Sequence, residues 1–447
     1  MYPRRGPREN TELAGVDHGA SLALRVGTLL LAGGAPTEDV EAAIFAVGTA
    51  VGLGVFEVDI TYKSIVISVA PDGDRPALTD MRVVRGRSMH FARVAAAHRL
   101  VIDLAEGRLA PADVDRRLSD IEHLRRPYPR WFVIVAFGAL SAAITVQLGG
   151  SAATAVVAFV AAAVSGFIGN RMTRLRVPTF FVNMVVAFGS ALVAVGATSL
   201  DSSLEEIKLK TPLVIVGGII ALLPGMTLMV AAQEAIGSFA VTAAARFVEL
   251  TFATIGIISG ILLGLAFAAE IGVPMSAVLS PEDYAPRTVA AVVAAVIAAS
   301  IAAAAAAVTY QSPAKLALAG AALAGVAILV YTWVSDHIDA PRIAVGIAAT
   351  AIGLLGAVLA GRLVVPPVLL TAAGIIPLLP GLAVYQGLLA LSDNKIDLGV
   401  GYLVEATTIA IALAAGVLLG LLLGGRLRRT PLRAFIPQRS KVHDHFR

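Results

Sequence analysis

From Trp131 onward the chain is a succession of apolar stretches about 20 residues long, the length a helix needs to cross the hydrocarbon core of a bilayer. Ten can be drawn: 131–149, 152–169, 177–198, 211–232, 243–268, 287–309, 314–334, 342–362, 365–390 and 399–425. The stretches are continuous rather than alternating. In lipid every backbone polar group must be satisfied within the chain, so continuous runs read as helices and not as barrel strands. Composition agrees: 57% of residues are hydrophobic, 15% are charged and the mean hydropathy is +0.82. A soluble domain is nearer 45–50% apolar and about a quarter charged. A wholly soluble protein, a disordered chain and a nucleic-acid binder working through a basic surface are therefore excluded, and the lipid bilayer is the expected partner. The absence of Cys removes disulfides, thiolate chemistry, Cys-based zinc sites and palmitoyl anchoring.

Charge divides the chain. Residues 1–130 hold 17 of the 35 Lys and Arg and 17 of the 31 Asp and Glu. This points to a water-compatible domain at 1–130, ending near Arg125-Arg126-Pro127, then membrane regions at 131–270 and 285–426 and a basic tail at 427–447. The first apolar run, Leu22 to Leu31, is short and follows acidic residues, so no signal peptide is expected. With the N-terminal domain in the cytoplasm, Arg171, Arg174, Arg176, Arg246, Lys315, Arg362 and the tail arginines fall inside. Asp201, Glu205, Glu206, Glu282, Asp283, Asp336, Asp339, Asp393 and Asp397 fall outside. That is the positive-inside pattern, and an even number of crossings places both termini in the cytoplasm.

The membrane region repeats itself. GIIALLPG at 218–225 recurs as GIIPLLPG at 374–381, and at the same 156-residue offset Val248-Glu249 matches Val404-Glu405, Thr251 matches Thr407, and GILLGL at 260–265 matches GVLLGL at 416–421. Each half then holds five crossings, and an odd number sets equivalent helices antiparallel. The expected fold is a polytopic α-helical membrane protein of ten transmembrane helices in two inverted five-helix repeats, behind a soluble α+β cytoplasmic domain. Inverted repeats are characteristic of secondary transporters.

Two sets of residues could carry transport. Pro224-Gly225 and Pro380-Gly381 fall well inside crossings four and nine. Proline removes a backbone donor and clashes with the preceding turn, so each pair marks either a simple kink or a broken helix whose N-terminal half offers free N–H groups to a carboxylate. Glu249 and Glu405 are acids within crossings, where ionisable groups are costly and face a cavity or a partner. For Glu249 the plainer alternative is an ion pair with Arg246, three residues earlier; the counterpart of Arg246 in the second half is Tyr402. Glu234, with Gln233, reads as an interface residue. Asn183, Thr254, Thr408, Gln386 and Gln147 could line a path, though such groups more often make helix–helix hydrogen bonds. All seven His lie outside the crossings, so carboxylates must carry any coupled protons.

The N-terminal domain reads as helices over 20–32 and 38–53, strands at 56–61 and 64–69, a turn at Asp72-Gly73, a third strand near 81–85, and helices around 90–107 and 111–124. Asp59, Thr61, Lys63 and Ser64 form a polar knot at a strand turn. The sequence carries no nucleophile elbow, P-loop, dinucleotide fingerprint or metal-spaced His set, so neither cofactor nor metal is expected.

LLLAGGAPTEDVEAAI (29–44), FEVDITYKSIVISV (56–69), RLVIDLAEGRLAPADVDRRL (99–118) and the paired LLPG segments together resemble the threonine/serine exporter family of bacteria, over about residues 20–425. The resemblance implies a cytoplasmic α+β domain joined to ten helices in the inner membrane, and export of L-threonine and L-serine driven by the proton motive force. In related sequences an Asp often follows the first Pro-Gly by eight or nine residues, where this chain has Gln233-Glu234. Two-subunit relatives resemble exporters of dicarboxylates such as succinate, which keeps that substrate class as an alternative. A membrane-anchored enzyme or receptor acting through the N-terminal domain would leave ten crossings and a repeat idle. The sequence leaves assembly into a homo-oligomer open.

Overall fold

The computed structural model describes residues 7–71, 77–86, 89–204, 211–220, 222, 225–237, 239–272, 288–338, 340–392 and 394–427. Pro224, the Asp72-Gly73 turn, the loop acids Glu205, Glu206, Glu282, Asp283, Asp339 and Asp393, and the tail arginines beyond Arg426 lie outside them.

The N-terminal unit begins with α1 (Pro7–Ala32) and α2 (Thr37–Ala50), followed by β1 (Phe56–Ile60), β2 (Ser64–Val69) and β3 (Leu78–Val83). The strands form an antiparallel meander in the order β1-β2-β3, with Phe56 opposite Val69 and Ser64 opposite Val83. Then come α3 (Phe91–Ala105), a 3-10 turn at Pro111–Asp113 and α4 (Val114–Glu122). Strand alternation places Ile65, Ile67 and Val69 of β2 on one face. They join Leu24, Ile44, Val101 and Leu118 from the helices in a buried core. Arg25 of α1 binds Asp115 and Glu122, the latter at 2.9 Å, and so ties the first helix to the last. Helix α1 begins at Pro7, ahead of the 20–32 span that the periodicity predicts.

Twelve helices follow among the described residues: α5 (Arg130–Gln147), α6 (Ala152–Arg174), α7 (Thr179–Leu204), α8 (Thr211–Ile220), α9 (Gly225–Ile236), α10 (Ala240–Glu270), α11 (Val289–Thr309), α12 (Ala314–His337), α13 (Pro341–Leu363), α14 (Val368–Gly374), α15 (Gly381–Ser392) and α16 (Ile396–Leu427). Among the described residues eight of these are long and apolar enough to cross a membrane, and a ninth span results if the bent pair α14 and α15 counts as one. Ten crossings were expected from the sequence. The difference lies at 211–236, where α8 and α9 are each only about 15–18 Å long, short of the ~30 Å core.

The distribution of side chains inverts that of a soluble bundle. Along α6 the buried positions include Ala158, Ala161 and Ala162, while Val156, Val160, Val164 and Phe167 face outward. Along α11, Ala295, Ala298, Ala299, Ala302 and Ala303 are buried, and Val293, Ile297 and Ile301 are exposed. Small residues inside let helix backbones approach, and large apolar ones outside suit lipid. The closest approaches occur at glycine. A Cβ on Gly260 of α10 would stand 2.2 Å from the Met184 carbonyl oxygen of α7, and one on Gly416 of α16 would stand 2.4 Å from the Gly346 oxygen of α13.

The two glycines are equivalent under the sequence repeat, and the helix pairing follows suit. The pairs α5–α6, α6–α7, α7–α10 and α9–α10 recur as α11–α12, α12–α13, α13–α16 and α15–α16. Helix α9 starts at Gly225 and α15 at Gly381, α10 at Ala240 and α16 at Ile396, so the 156-residue offset survives to the residue in the later helices of each half.

Candidate transport site

The second-half break is resolved in detail. Helix α14 ends at Gly374, Ile376–Leu378 forms a 3-10 turn, and Leu379 is extended (φ −66°, ψ 139°) before α15 begins at Gly381. The two helical pieces diverge by 41°. Pro377 and Pro380 explain the interruption, since each lacks the N–H that would continue the ladder. Gln147 at the end of α5 donates from Nε2 to the Pro377 carbonyl at 2.8 Å, satisfying an acceptor that the break releases. Tyr385 and Gln386 of α15 are buried one turn below. In the first half α8 ends at Ile220 and α9 begins at Gly225, the residue equivalent to Gly381.

Each broken segment packs on the opposite half. Helix α15 meets α8 and α10, and α9 meets α14 and α16. Tyr385 and Leu389 of α15 share a core with Val214, Ile215 and Ile219 of α8 and Ile257 and Ile261 of α10. The breaks therefore sit where the halves meet.

Glu249 stands elsewhere. It lies nine residues into α10, as Glu405 lies nine residues into α16, and its Oε2 accepts a 2.7 Å hydrogen bond from the Tyr62 hydroxyl at the β1–β2 turn. One turn nearer the start of α10, Arg246 donates from Nε to Glu234 Oε2 at 2.5 Å, and Thr37, the first residue of α2, donates to Glu234 Oε1 at 2.8 Å. Both charged side chains are about 2% exposed or less. Gly225 begins α9 nine residues before Glu234, about 14 Å of helix further from the N-terminal unit. The Arg246 ion pair read from local spacing is thus made with Glu234, and Glu249 belongs to a junction between the N-terminal unit and the helices, not to the Pro-Gly break.

The N-terminal unit also grips the second half. The N–H groups of Phe91 and Ala92 donate to the Tyr310 and Gln311 carbonyls at 3.0 and 3.1 Å, and Tyr128 N–H donates to Gln311 Oε1 at 3.2 Å. At the C-terminus of α13, Arg99 reaches the Leu363 carbonyl at 3.3 Å and His98 bonds the Val364 carbonyl. Burial depresses the His98 imidazole to about 4, Arg99 lowers it further, and the Val364 bond opposes the shift.

The remaining sequence candidates occupy ordinary positions. Asn183 is buried and donates across to the Ala253 carbonyl at 3.2 Å, the helix–helix bond of the plainer reading. Thr408 bonds the Val404 carbonyl of its own helix at 2.8 Å. Thr254, Glu405 and Pro380 are half-buried, and Gln386 is buried. Thr37 and Tyr62 escaped the sequence reading. Both lie in the segments that carry the family resemblance, the one available signal for them.

Helices with small residues inside and large apolar residues outside, paired by a repeat and interrupted where the halves meet, define a multi-pass membrane protein of the transporter type. The family model described as "Putative threonine/serine exporter" matches residues 21–268, and one described as "Threonine/Serine exporter, ThrE" matches residues 295–423. The chain is 33% identical to the "Threonine/serine exporter" of Corynebacterium glutamicum over 438 residues, covering 97% of this chain and 86% of that one. It is 31% identical to the "Probable threonine/serine exporter" of Mycobacterium tuberculosis (strain ATCC 25618 / H37Rv) over 410 residues, 91% of this chain and 76% of that one. It is 27% identical to the "Probable succinate transporter subunit YjjP" of Escherichia coli (strain K12) over 248 residues, 55% of this chain and 92% of that one. The chain belongs to the threonine/serine exporter family. No solved structure matches it.

Proposed function

We propose that the chain is a secondary active exporter of small hydroxy amino acids, L-threonine and L-serine, coupled to proton entry. In this reading α8 and α9 together make the tenth crossing, 131–270 and 285–426 are five-helix halves of opposite orientation, and the N-terminal unit (1–130) and the tail (427–447) are cytoplasmic. The observation that carries it is the matched pair of helix breaks, at Gly225 and Gly381, packed where the halves meet. Half-helix N-termini at such a place favour a substrate carboxylate. The names of the 31–33% identical relatives supply the substrate class. Glu249 and Glu405 divide ammonium recognition and proton coupling between them, and no reaction is assigned to the N-terminal unit.

Counterflow in proteoliposomes tests the reading. Labelled L-threonine should exchange with unlabelled threonine and serine, and an inward proton gradient should drive net export. Glu→Gln at the coupling position (Glu249 or Glu405) should abolish gradient-driven export yet preserve exchange, and at the binding position it should weaken both. Wild-type pH-dependent transport in both variants rejects the division of roles. The likeness of the first half to the succinate transporter subunit favours a second reading, dicarboxylate export. Exchange of succinate in preference to threonine would establish it.

A further inference from the structure

We propose that the paired ends of α5 and α6 form a binding site for an anionic phospholipid, with Arg130, Arg171 and Arg174 on the headgroup phosphate and an apolar stripe of α6 along the acyl chains. The inference goes beyond the exporter reading and needs only the multi-pass placement in the membrane. Along α6, Val160, Val164 and Phe167 are 47%, 47% and 59% exposed. Arg171 and Arg174, also exposed, continue the same alternation of four-residue and three-residue steps. Residues at that spacing share one helix face. The outward face of α6 is thus apolar along its length and cationic at its end.

The neighbouring helix brings the third cation to the same level. A Cβ on Gly166 of α6 would stand 3.4 Å from the Phe137 side chain of α5, and a link of only four residues, 148–151, joins the two helices antiparallel. From that contact Arg130 lies seven residues back along α5 and Arg174 eight residues on along α6, each about 10–12 Å away in the same direction. Tyr128, Phe132 and Trp131 cluster at this end, with ring centres 5.5 Å apart in both the Tyr128–Phe132 and Trp131–Phe132 pairs. Trp and Tyr collect at the membrane–water interface, which sets the three arginines at headgroup depth.

Among the described residues none of the three arginines makes an ion pair or a side-chain hydrogen bond. The end of α6 does not need them as caps: Arg176 N–H donates to the Thr173 carbonyl at 3.1 Å and Val177 N–H to the Met172 carbonyl at 3.2 Å. The repeat does not need them either, since Arg171 and Arg174 correspond to Ala327 and Val330 of α12. Guanidinium groups bind phosphate through paired, charge-assisted hydrogen bonds, and basic residues at a membrane surface attract anionic lipids. A choline headgroup would set its own cation against the arginines, so the site favours a lipid with net negative charge.

The test uses the full chain carrying Trp333→Phe, which leaves Trp131 as the single tryptophan, 65% exposed beside the site. The protein in neutral detergent is titrated with phosphatidylglycerol or phosphatidylcholine bearing brominated acyl chains, which quench a tryptophan they touch. Half-quenching should need about tenfold less phosphatidylglycerol, the effect expected of one or two hydrogen bonds to a charged group. Arg171→Gln with Arg174→Gln should abolish that preference without moving the thermal midpoint measured in the absence of lipid, as both side chains are exposed. Arg116→Gln, on the exposed side of α4, should keep the preference. Glycerol 3-phosphate should fail to displace the lipid; displacement would assign the site to a free phosphate and overturn the lipid assignment. Equal quenching by the two lipids, or a preference that survives the double variant, would overturn it as well.

Discussion

Replacing Arg246 by Met should destabilise the protein more than any other single change at the junction. The side chain is 2% exposed and its partner Glu234 1%, so among the described residues the carboxylate left behind keeps the Thr37 hydroxyl as its partner, with little access to water. At an effective dielectric near 20, opposite charges about 4 Å apart attract by roughly 4 kcal/mol. Breaking a buried pair by removing one member costs about 3–5 kcal/mol, because an uncompensated charge remains. Removing both charges with Glu234→Leu and Arg246→Met together leaves none, and substitution of a whole buried pair by apolar groups is often neutral. Thr37→Val removes one hydrogen bond to a charged group, worth about 1.5–3 kcal/mol. The assay is thermal unfolding of the detergent-solubilised chain, followed by the fluorescence of Trp131 and Trp333. At roughly 2–4 °C per kcal/mol for a cooperative unit of 150–250 residues, Arg246→Met should lower the midpoint by about 6 °C or more. The double variant should recover most of that loss. An Arg246→Met midpoint within 1 °C of wild type, or a double variant no better than the worse single, refutes the reasoning.

His98 is held neutral near pKa 4 against 6.5 unfolded, so the unfolded chain takes the proton first; stability should be flat above pH 6.5 and fall by about 3 kcal/mol toward pH 4. Denaturant titrations at stepped pH should show this slope in wild type and lose it in His98→Gln. Gly260→Val and Gly416→Val should both abolish stable expression, since even a Cβ meets a facing backbone oxygen at 2.2–2.4 Å; normal yields of either would mean the helix pairs are looser than described. Pro380→Ala should restore helical continuity and cut threonine counterflow severalfold while leaving the thermal midpoint unchanged or raised; full transport would separate the break from the substrate path. Single Cys residues at Arg174 and Asp393, introduced into this Cys-free chain, should be labelled from opposite faces of the membrane, and labelling from one face would exclude the inverted arrangement.

Much of the architecture was legible because it rests on long-period signals. Apolar runs gave the helices to within a few residues at most ends, and the 156-residue offset anticipated that α9 and α15 would begin at equivalent glycines. Alternation gave β1 and β2, and the third strand, expected near 81–85, begins a few residues earlier at Leu78. The junction was not legible. A threonine at a helix start and a tyrosine at a turn carry no periodic signal, and their partners Glu234 and Glu249 are 197 and 187 residues away. Local spacing offered Arg246 as the plainer partner for Glu249, three residues away on one face. The tertiary structure instead gives Arg246 the carboxylate of Glu234 from the antiparallel helix α9, which reaches it without leaving the buried seam.

The repeat itself explains why the two repeat-related acids need not share one role. Under the 156-residue offset, Glu249 corresponds to Glu405, but Glu234 corresponds to Ala390 and Arg246 to Tyr402. The first half therefore departs from the second at residues that meet Thr37 of the N-terminal unit, while Glu249 itself meets Tyr62. The second half has Arg99 and His98 on helix C-terminal carbonyls instead, a contact made through backbone that places no constraint on side-chain identity at Leu363 or Val364. Two acids that begin as equivalents in a duplicated scaffold thus sit in different surroundings, one within reach of the Lys63 and Arg85 cations and a phenol, the other half-buried on α16. Unequal surroundings present equivalent carboxyls with different neighbours. The bond from Tyr62 of the N-terminal unit to Glu249 is the asymmetry that supports the division of labour proposed for Glu249 and Glu405.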